Sequence, residues 1–374
     1  MPQLSSLFRL VLFPLLLAGG AAIYAQAPSS CTQALYFYQL KQFSQALTLY
    51  DQCLMDHPTD GVMYYNRGKT WYELGYIDKA LVDFEEAIKL TPSFVQSYYA
   101  LSEHFLSKKD ELNALKWMNE LLMRYPDLAN AHNLRGWIYF NFKRTQLAFA
   151  DFDKAITLDS LNASAYNNRG SARYQLQDIE SASTSDLLLA QADFLKALKL
   201  DTTLSNLHRN LGFIEFLLGN YPNADSLLTI ATKRNPTDAM VYYYHGLLYA
   251  KANKTDAAIG AMDLALKQYP NLGIAWLAKG QLQYDKRRYA DAVESLNAAA
   301  KTEPTLETTA SYQLARTYAA QFERELMLEQ LKLADKLGYF TKLANKQAFF
   351  SEPVFQNFGK WAPFKAFEKK VRGI

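Results

Sequence analysis

The sequence has few of the residues from which metal sites and catalytic centres are usually built. It holds two cysteines and five histidines in 374 residues, and no two histidines lie three to five positions apart. Cys31 and Cys53 do not form the close pair that zinc motifs use. There is no G-x-S-x-G nucleophile motif either. We therefore expect no metal site, no cofactor and no enzymatic activity.

A charge excess of one sign is also missing. The chain has 40 Lys and Arg against 37 Asp and Glu, a net charge of +3. A nucleic-acid-binding protein usually carries a basic stripe, but here the surplus lies mostly at the C-terminal end, in Lys360, Lys365, Lys369, Lys370 and Arg372. We interpret these residues as the solvated face of a terminal helix and expect no nucleic-acid partner.

The apolar run at the N-terminus, residues 10–17, is shorter than the roughly 20 residues that span a membrane. Arg9 precedes it and small residues follow at 18–22, which is the layout of a signal peptide. We expect a signal peptide over 1–25, cleaved after Ala25, and an extracytoplasmic (periplasmic or secreted) protein. Two alternatives stay open: an uncleaved membrane anchor and a lipid anchor on Cys31.

The most informative stretch is 61–94, which reads as two helices joined by a turn. Small and aromatic residues recur at three- and four-residue steps, as on one face of a helix. Gly75 marks the turn and Pro92 ends the second helix. The residues that share the buried faces are Tyr64, Gly68 and Trp71, then Ala80, Phe84 and Ala87.

One such hairpin cannot bury its apolar face alone, so the pattern predicts copies on either side. Copies start near residues 27, 61, 95, 129, 163, 205, 239, 273 and 308, the last one degraded. Period and fixed positions together resemble the tetratricopeptide repeat family. The resemblance implies an all-α, right-handed solenoid of eight to nine repeats over 27–340 that binds other proteins.

Two segments depart from the repeat pattern. An insertion at 179–186 delays the second helix of repeat five, and we interpret it as a longer hairpin loop. Residues 341–374 follow the last repeat and are rich in aromatics. Because the final repeat has no neighbour to cover it, we expect this segment to form short capping helices; a partner-binding motif is the alternative.

The resemblance also implies which residues face the concave groove that the first helices line. Counted from each repeat start, these are the second, fifth, ninth, twelfth and thirteenth positions. The groove candidates are Tyr65, Lys69, Tyr72, Tyr99, Asn133, Trp137, Phe140, Asn167, Tyr174, Arg209, Phe213 and Phe216. Carboxylates of the second helices, such as Asp83, are expected to be solvated.

The two cysteines fall on the two helices of repeat one, roughly opposite each other in an antiparallel hairpin. If the chain enters an oxidising compartment, these positions favour a Cys31–Cys53 disulfide. The alternative is two small buried residues that pack without a bond.

Aromatic and asparagine side chains in the groove suit a peptide or protein segment, because they offer contact area together with donors and acceptors. We therefore expect a non-enzymatic scaffold that binds protein segments. Some family members hold a partner's carboxylate with a lysine–asparagine–lysine–arginine set, but here only Asn168 and Arg209 fit, so binding to chaperone tails is not predicted. A glycan-binding module is the alternative function.

Overall fold

The computed structural model describes residues 29–175, 183–204 and 206–373, which form helices and no strand. The chain divides into two compact units, one ending at Asp110 and the other beginning at Glu111. The all-α solenoid expected from the sequence is confirmed within the described ranges. No helix in them is long and apolar enough to cross a membrane. The expected signal peptide (1–25) and the first half of the insertion (179–182) lie outside the described residues.

Unit 1 contains five helices in its described part. They are α1 (Ser30–Gln39), α2 (Phe43–Asp56), α3 (Gly61–Glu73), α4 (Ile77–Leu90) and α5 (Gln96–Ser107). Helices α1 and α2 pack as one hairpin and α3 and α4 as the next.

Unit 2 begins with α6 and continues as helical hairpins. The bounds are α6 (Glu111–Arg124), α7 (Ala129–Asn141), α8 (Thr145–Leu158), α9 (Ala163–Gln175), α10 (Thr184–Leu200), α11 (Leu207–Leu217), α12 (Tyr221–Arg234), α13 (Ala239–Lys251), α14 (Thr255–Gln268), α15 (Gly273–Asp285), α16 (Tyr289–Thr302), α17 (Glu307–Ala320) and α18 (Arg324–Lys336). Three short helices follow: α19 (Leu343–Ser351), α20 (Pro353–Gln356) and α21 (Ala362–Arg372).

Part of the expected insertion is helical. Residues 184–186 form the first turn of α10, which has 17 residues. The Ser183 hydroxyl caps this turn by accepting a hydrogen bond from the Asp186 backbone N–H at 3.1 Å. An N-cap of this kind satisfies a donor that the helix itself leaves unpaired.

Close approach of the two helices in a hairpin depends on glycine at the eighth repeat position. A Cβ on Gly68 would lie 2.8 Å from the Phe84 ring and 3.1 Å from the Ala80 carbonyl oxygen. Gly136 meets Phe152 and Ala148 in the same way. Ala80, Ala148 and the two rings are buried, so in these two hairpins a glycine of the first helix faces an aromatic ring of the second.

The hairpin turns that the structure describes share one backbone geometry. In each of these turns, a residue with positive φ follows the first helix. Only two of these residues are glycine; the full set is Lys41, Gly75, Lys109, Lys143, Gly219, Asn253, Arg287 and Phe322. In the second repeat, the N–H of Tyr76 donates to the Trp71 carbonyl at 2.9 Å, as in a Schellman motif. The turn geometry therefore recurs even where the sequence has no glycine.

Arginines at the seventh repeat position link neighbouring hairpins. Arg67 donates to both oxygens of Asp83 on α4, at 2.8 and 2.7 Å, and to Asp51 on α2 at 2.9 Å. Arg135 bonds Asp151 and Asn119 in the same way. The expectation that Asp83 is solvated is wrong: it is buried, because the guanidinium compensates the carboxylate through two hydrogen bonds.

The structure joins Cys31 of α1 to Cys53 of α2 by a disulfide, with 5.0 Å between the two Cα atoms. Cys53 is fully buried beside Ala46 and Tyr50 on the same helix. The bond thus ties the two helices of the first hairpin together.

The C-terminal helices cover the end of the last hairpin. Phenylalanines from α19, α20, α21 and the segment between them are buried in one cluster with residues of α17 and α18: Phe349, Phe355, Phe358, Phe364 and Phe367. Lys365, Lys369, Lys370 and Arg372 of α21 are solvent-exposed.

Candidate functional site

The first helices of several successive hairpins contact one another within each unit. In unit 2, α7 contacts α9, α9 contacts α11 and α11 contacts α13; in unit 1, α1 contacts α3. We call the residues that these helices and α5 present to solvent the first-helix surface. Among the residues that the structure describes, one cavity in each unit opens on this surface.

The cavity in unit 1 has a volume of about 260 Å³ and lies between α3 and α5. Three of the predicted groove residues line it: Tyr65, Lys69 and Tyr72. Helix α5 adds Glu103 and His104. We call it the Tyr65 cavity.

Aromatic rings surround the one lysine of the Tyr65 cavity. The Lys69 ammonium lies 4.9 Å from the centre of the Tyr38 ring and 5.8 Å from that of Tyr65. The Tyr72 hydroxyl is 3.2 Å from His104 Nδ1. Burial raises the pKa of Glu103 and lowers that of His104, because both charged forms lose solvation.

The cavity in unit 2 has a volume of about 280 Å³ and is lined from four consecutive first helices. We call it the asparagine cavity, since four of its ten lining residues are asparagine. They are Trp137 from α7; Asn167, Asn168, Ser171 and Tyr174 from α9; Asn206, Arg209 and Asn210 from α11 and its N-terminus; and Met240 and Tyr244 from α13.

Side-chain hydrogen bonds run through this cavity from helix to helix. Asn168 Nδ2 donates to Asn133 Oδ1 at 3.0 Å, which links α9 to α7. Asn210 Nδ2 donates to Asn167 Oδ1 at 3.2 Å and to Ser171 Oγ at 3.4 Å, which links α11 to α9. A network of this kind fixes the orientation of its amides before any ligand binds.

Arg209 is the single charged residue among those that line the asparagine cavity. Its guanidinium donates to Asp238 Oδ2 at 2.7 Å and to Asn210 Oδ1 at 3.2 Å. Tyr244 stacks on Phe213 with 4.2 Å between ring centres. Burial raises the pKa of Tyr244 well above its usual range, and the neighbouring Tyr174 adds to the rise, so its hydroxyl stays protonated.

The structure distributes the predicted groove residues over three environments. Seven line the cavities: Tyr65, Lys69, Tyr72, Trp137, Asn167, Tyr174 and Arg209. Tyr99, Asn133 and Phe216 are partly buried beside them.

The prediction that Phe140 and Phe213 face the groove is wrong. Both are buried core residues, with 7% and 3% of their surface exposed. Phe213 fills the space between three first helices, where it meets Tyr174 and Tyr244. Phe140 packs against Trp137 and the buried Phe152 cluster. Both rings therefore pack beneath residues that line the asparagine cavity.

Three residues that line the asparagine cavity occupy the sixth repeat position, which the groove prediction did not include. These are Asn168, Asn210 and Tyr244. The sixth position faces the neighbouring first helix, so the prediction from single-repeat positions did not place it in the groove. Asparagine at this position in three repeats, at Asn66, Asn168 and Asn210, is the signal that could have identified it.

In the described ranges, no group of three or more His, Cys, Asp or Glu residues is arranged to hold a metal ion. His132, the histidine with two close acceptors, lies 2.8 Å from Asp151 and 2.9 Å from the Pro126 carbonyl oxygen. These contacts place it in the hairpin core and away from both cavities.

Helical hairpins that stack through their first helices define a class, the α-solenoids. Three stretches match family models described as tetratricopeptide repeat: residues 63–94, 129–160 and 215–272. The chain belongs to the tetratricopeptide repeat family.

A curated relative and two solved structures are similar to this chain. The Hsp70-Hsp90 organizing protein of Triticum aestivum is 21% identical over 267 residues, which is 71% of this chain and 39% of that protein. The chain therefore spans about two fifths of the length of this relative.

Among solved structures, the APC/C hetero-tetramer Cut9-Hcn1 matches with a TM-score of 0.62 at 13% identity, over 86% of this chain and 75% of the matched chain. A tetratricopeptide repeat protein from Parabacteroides merdae matches with a TM-score of 0.54 at 14% identity, over 68% and 97%. At these identities the likeness concerns the fold.

Proposed function

We propose that this protein is a non-enzymatic scaffold that binds segments of other proteins on its first-helix surface, outside the cytoplasm. The observation that carries the proposal is the asparagine cavity, in which hydrogen-bonded amides lie beside the partly buried Trp137. Amides offer both donors and acceptors, which is what an extended peptide backbone requires.

The sequence relative supports a protein ligand. The name of the Hsp70-Hsp90 organizing protein describes an organiser of other proteins. Nucleic acid is not part of the proposal, because neither cavity offers a surplus of positive charge: Arg209 is paired with Asp238, and Lys69 shares its cavity with Glu73 and Glu103.

The disulfide supports the proposed location. A Cys31–Cys53 bond persists in oxidising compartments and is rare where thiols are kept reduced. The proposal predicts that the protein recovered from its own cells starts at Gln26 and takes up no alkylating reagent before reduction. Intact-mass spectrometry checks both, and a chain that starts at Met1 with two free thiols would contradict the export.

Binding is tested with a display library of random peptides selected on the purified protein. Trp137→Ala removes an aromatic wall of the asparagine cavity, so we expect the affinity of the selected peptides to fall at least tenfold, as for a buried aromatic anchor. Tyr269→Ala is the matched control, because Tyr269 is 53% exposed on another surface. Equal affinity for both variants, with unchanged circular dichroism, would contradict the proposal.

A sugar is the competing ligand, because amides and aromatic rings also suit carbohydrate. Retention on a polysaccharide resin, competed by the soluble sugar and lost in Trp137→Ala, would replace the peptide proposal. We expect no retention.

A further inference from the structure

We propose that the asparagine cavity receives an uncharged side-chain amide, from a glutamine or asparagine of the bound segment. The inference rests on the proposed function and names the chemistry that the cavity selects. Three features carry it: the charge balance of the cavity, two polar groups in it that have no partner, and its walls.

The charge balance argues against a charged ligand group. Arg209 is the one ionised side chain in the lining, and Asp238 holds its guanidinium at 2.7 Å. Asn210 Oδ1 occupies two further N–H groups of the same guanidinium. A carboxylate that entered would meet no surplus positive charge, and a cation would meet no free carboxylate. Burial of an uncompensated charge is much more costly than burial of an amide.

Two polar groups in the lining have no hydrogen-bond partner among the described residues. The first is the hydroxyl of Tyr244, a side chain that is 7% exposed and lies close to Tyr174, Arg209 and Asp238. The second is the side-chain amide of Asn206, which does not cap α11. A hydroxyl and an amide each donate and accept, and a ligand amide can satisfy both, since it too donates and accepts.

The remaining walls suit the methylene groups of such a side chain. Trp137, Tyr174 and Met240 line the cavity, and its volume of about 280 Å³ far exceeds the roughly 30 Å³ share of one water. A glutamine could place its methylenes against these walls and its amide near Tyr244. Tyr244 itself is held in position by its stack on Phe213.

The test uses peptides selected from a random display library on the wild-type protein. We expect a glutamine or asparagine at one fixed position. Replacing it by glutamate should weaken binding more than tenfold, and replacing it by methionine about fivefold, the loss of one net hydrogen bond. Tyr244→Phe should weaken the glutamine peptide about fivefold and leave the methionine peptide unchanged.

Tyr243→Phe is the matched control, because Tyr243 precedes Tyr244 on α13 and does not line the cavity; both peptides should bind this variant as they bind the wild type. Peptides that bind equally well with glutamate, or that are insensitive to Tyr244→Phe, would overturn the inference while leaving the scaffold function intact. A library that yields no binder would overturn the scaffold function and the inference together.

Discussion

In three repeats, the fourth position shows how one site accepts different residues when the hydrogen bond is kept. Tyr242 donates to the Pro236 carbonyl at 2.9 Å, Trp276 to that of Pro270 at 2.8 Å, and a His132 ring nitrogen lies 2.9 Å from that of Pro126. The proline that ends one repeat thus offers an acceptor to the aromatic residue that opens the next.

His208 occupies the same position without that partner. The equivalent carbonyl belongs to Thr202 and accepts a hydrogen bond from Arg234 instead. His208 is buried, its Nδ1 has no partner, and burial lowers its pKa, with a further contribution from Arg234.

This difference predicts a pH-dependent effect at His208. A base whose pKa is lower in the folded state than in the unfolded state binds fewer protons when folded, so it destabilises the fold as pH falls below about 6.5. His208→Phe should therefore lessen the fall in melting temperature between pH 8 and pH 5. The control His57→Phe, at an exposed residue, should leave that fall unchanged; the same fall in both variants would contradict the argument.

At the residue scale the sequence predicted the core better than the ionic contacts. Tyr64, His132 and His208 share one periodic position, so their packing role follows from the helical repeat. The burial of Asp83 could not be read in the same way, because it depends on Arg67, which lies on another helix, sixteen residues earlier in the sequence.

At the scale of the helical hairpin, two glycines within helices have opposite surroundings, one crowded and one open. Gly68 faces Phe84 so closely that an added Cβ would lie 2.8 Å from the ring. Gly260 has no atom within 4 Å of an added Cβ and is exposed on α14.

Because of these surroundings, we expect replacement by alanine to change the free energy of unfolding in opposite directions at the two sites. Gly68→Ala should lower the free energy of unfolding by about 1–3 kcal/mol through overpacking. Gly260→Ala should raise it by up to about 1 kcal/mol, because alanine is the better helix former. Urea denaturation checks both, and a neutral Gly68→Ala would mean that the helices do not approach as closely as the structure shows.

The Cys31–Cys53 disulfide stabilises the first hairpin by joining its two helices. The bond closes a loop with a sequence separation of 22 residues, for which restriction of the unfolded chain gives a stabilisation of about 3 kcal/mol. Reduction should increase hydrogen exchange in α1 and α2 while α13 and α14 stay protected. The variant with both cysteines changed to alanine is the control, since its exchange should not respond to reductant.

At the same scale, the sequence predicted where the helices lie, but it predicted only some of the residues that line the two cavities. The repeat period located the hairpins. It also predicted four residues that line the cavities: Tyr65, Lys69, Trp137 and Arg209. It missed Tyr244, because that residue occupies a repeat position that faces the neighbouring first helix. It put Phe213 on the surface, because the depth of a side chain depends on how the neighbouring repeats pack around it.

For the whole molecule, the repeats determine the architecture, and the cavities are the basis of the proposed binding of protein segments. The chain is a tetratricopeptide repeat protein in which carboxylates, asparagines and arginines hold successive hairpins in register, as in the Arg67 and Arg135 contacts. Two preformed cavities then lie on the first helices, one aromatic with charged residues and one rich in amides. The binding of protein segments at these cavities is the central claim.

The most direct test is a photo-crosslinking residue in place of Asn206, which lines the asparagine cavity, in the full-length protein in its own cells. Mass spectrometry of the products should show crosslinks to defined segments of partner proteins, and the same residue in place of the exposed Tyr269 should give none of these. Crosslinks from Asn206 that match those from Tyr269, or no protein crosslinks from either, would contradict the claim that the first-helix surface is the binding site.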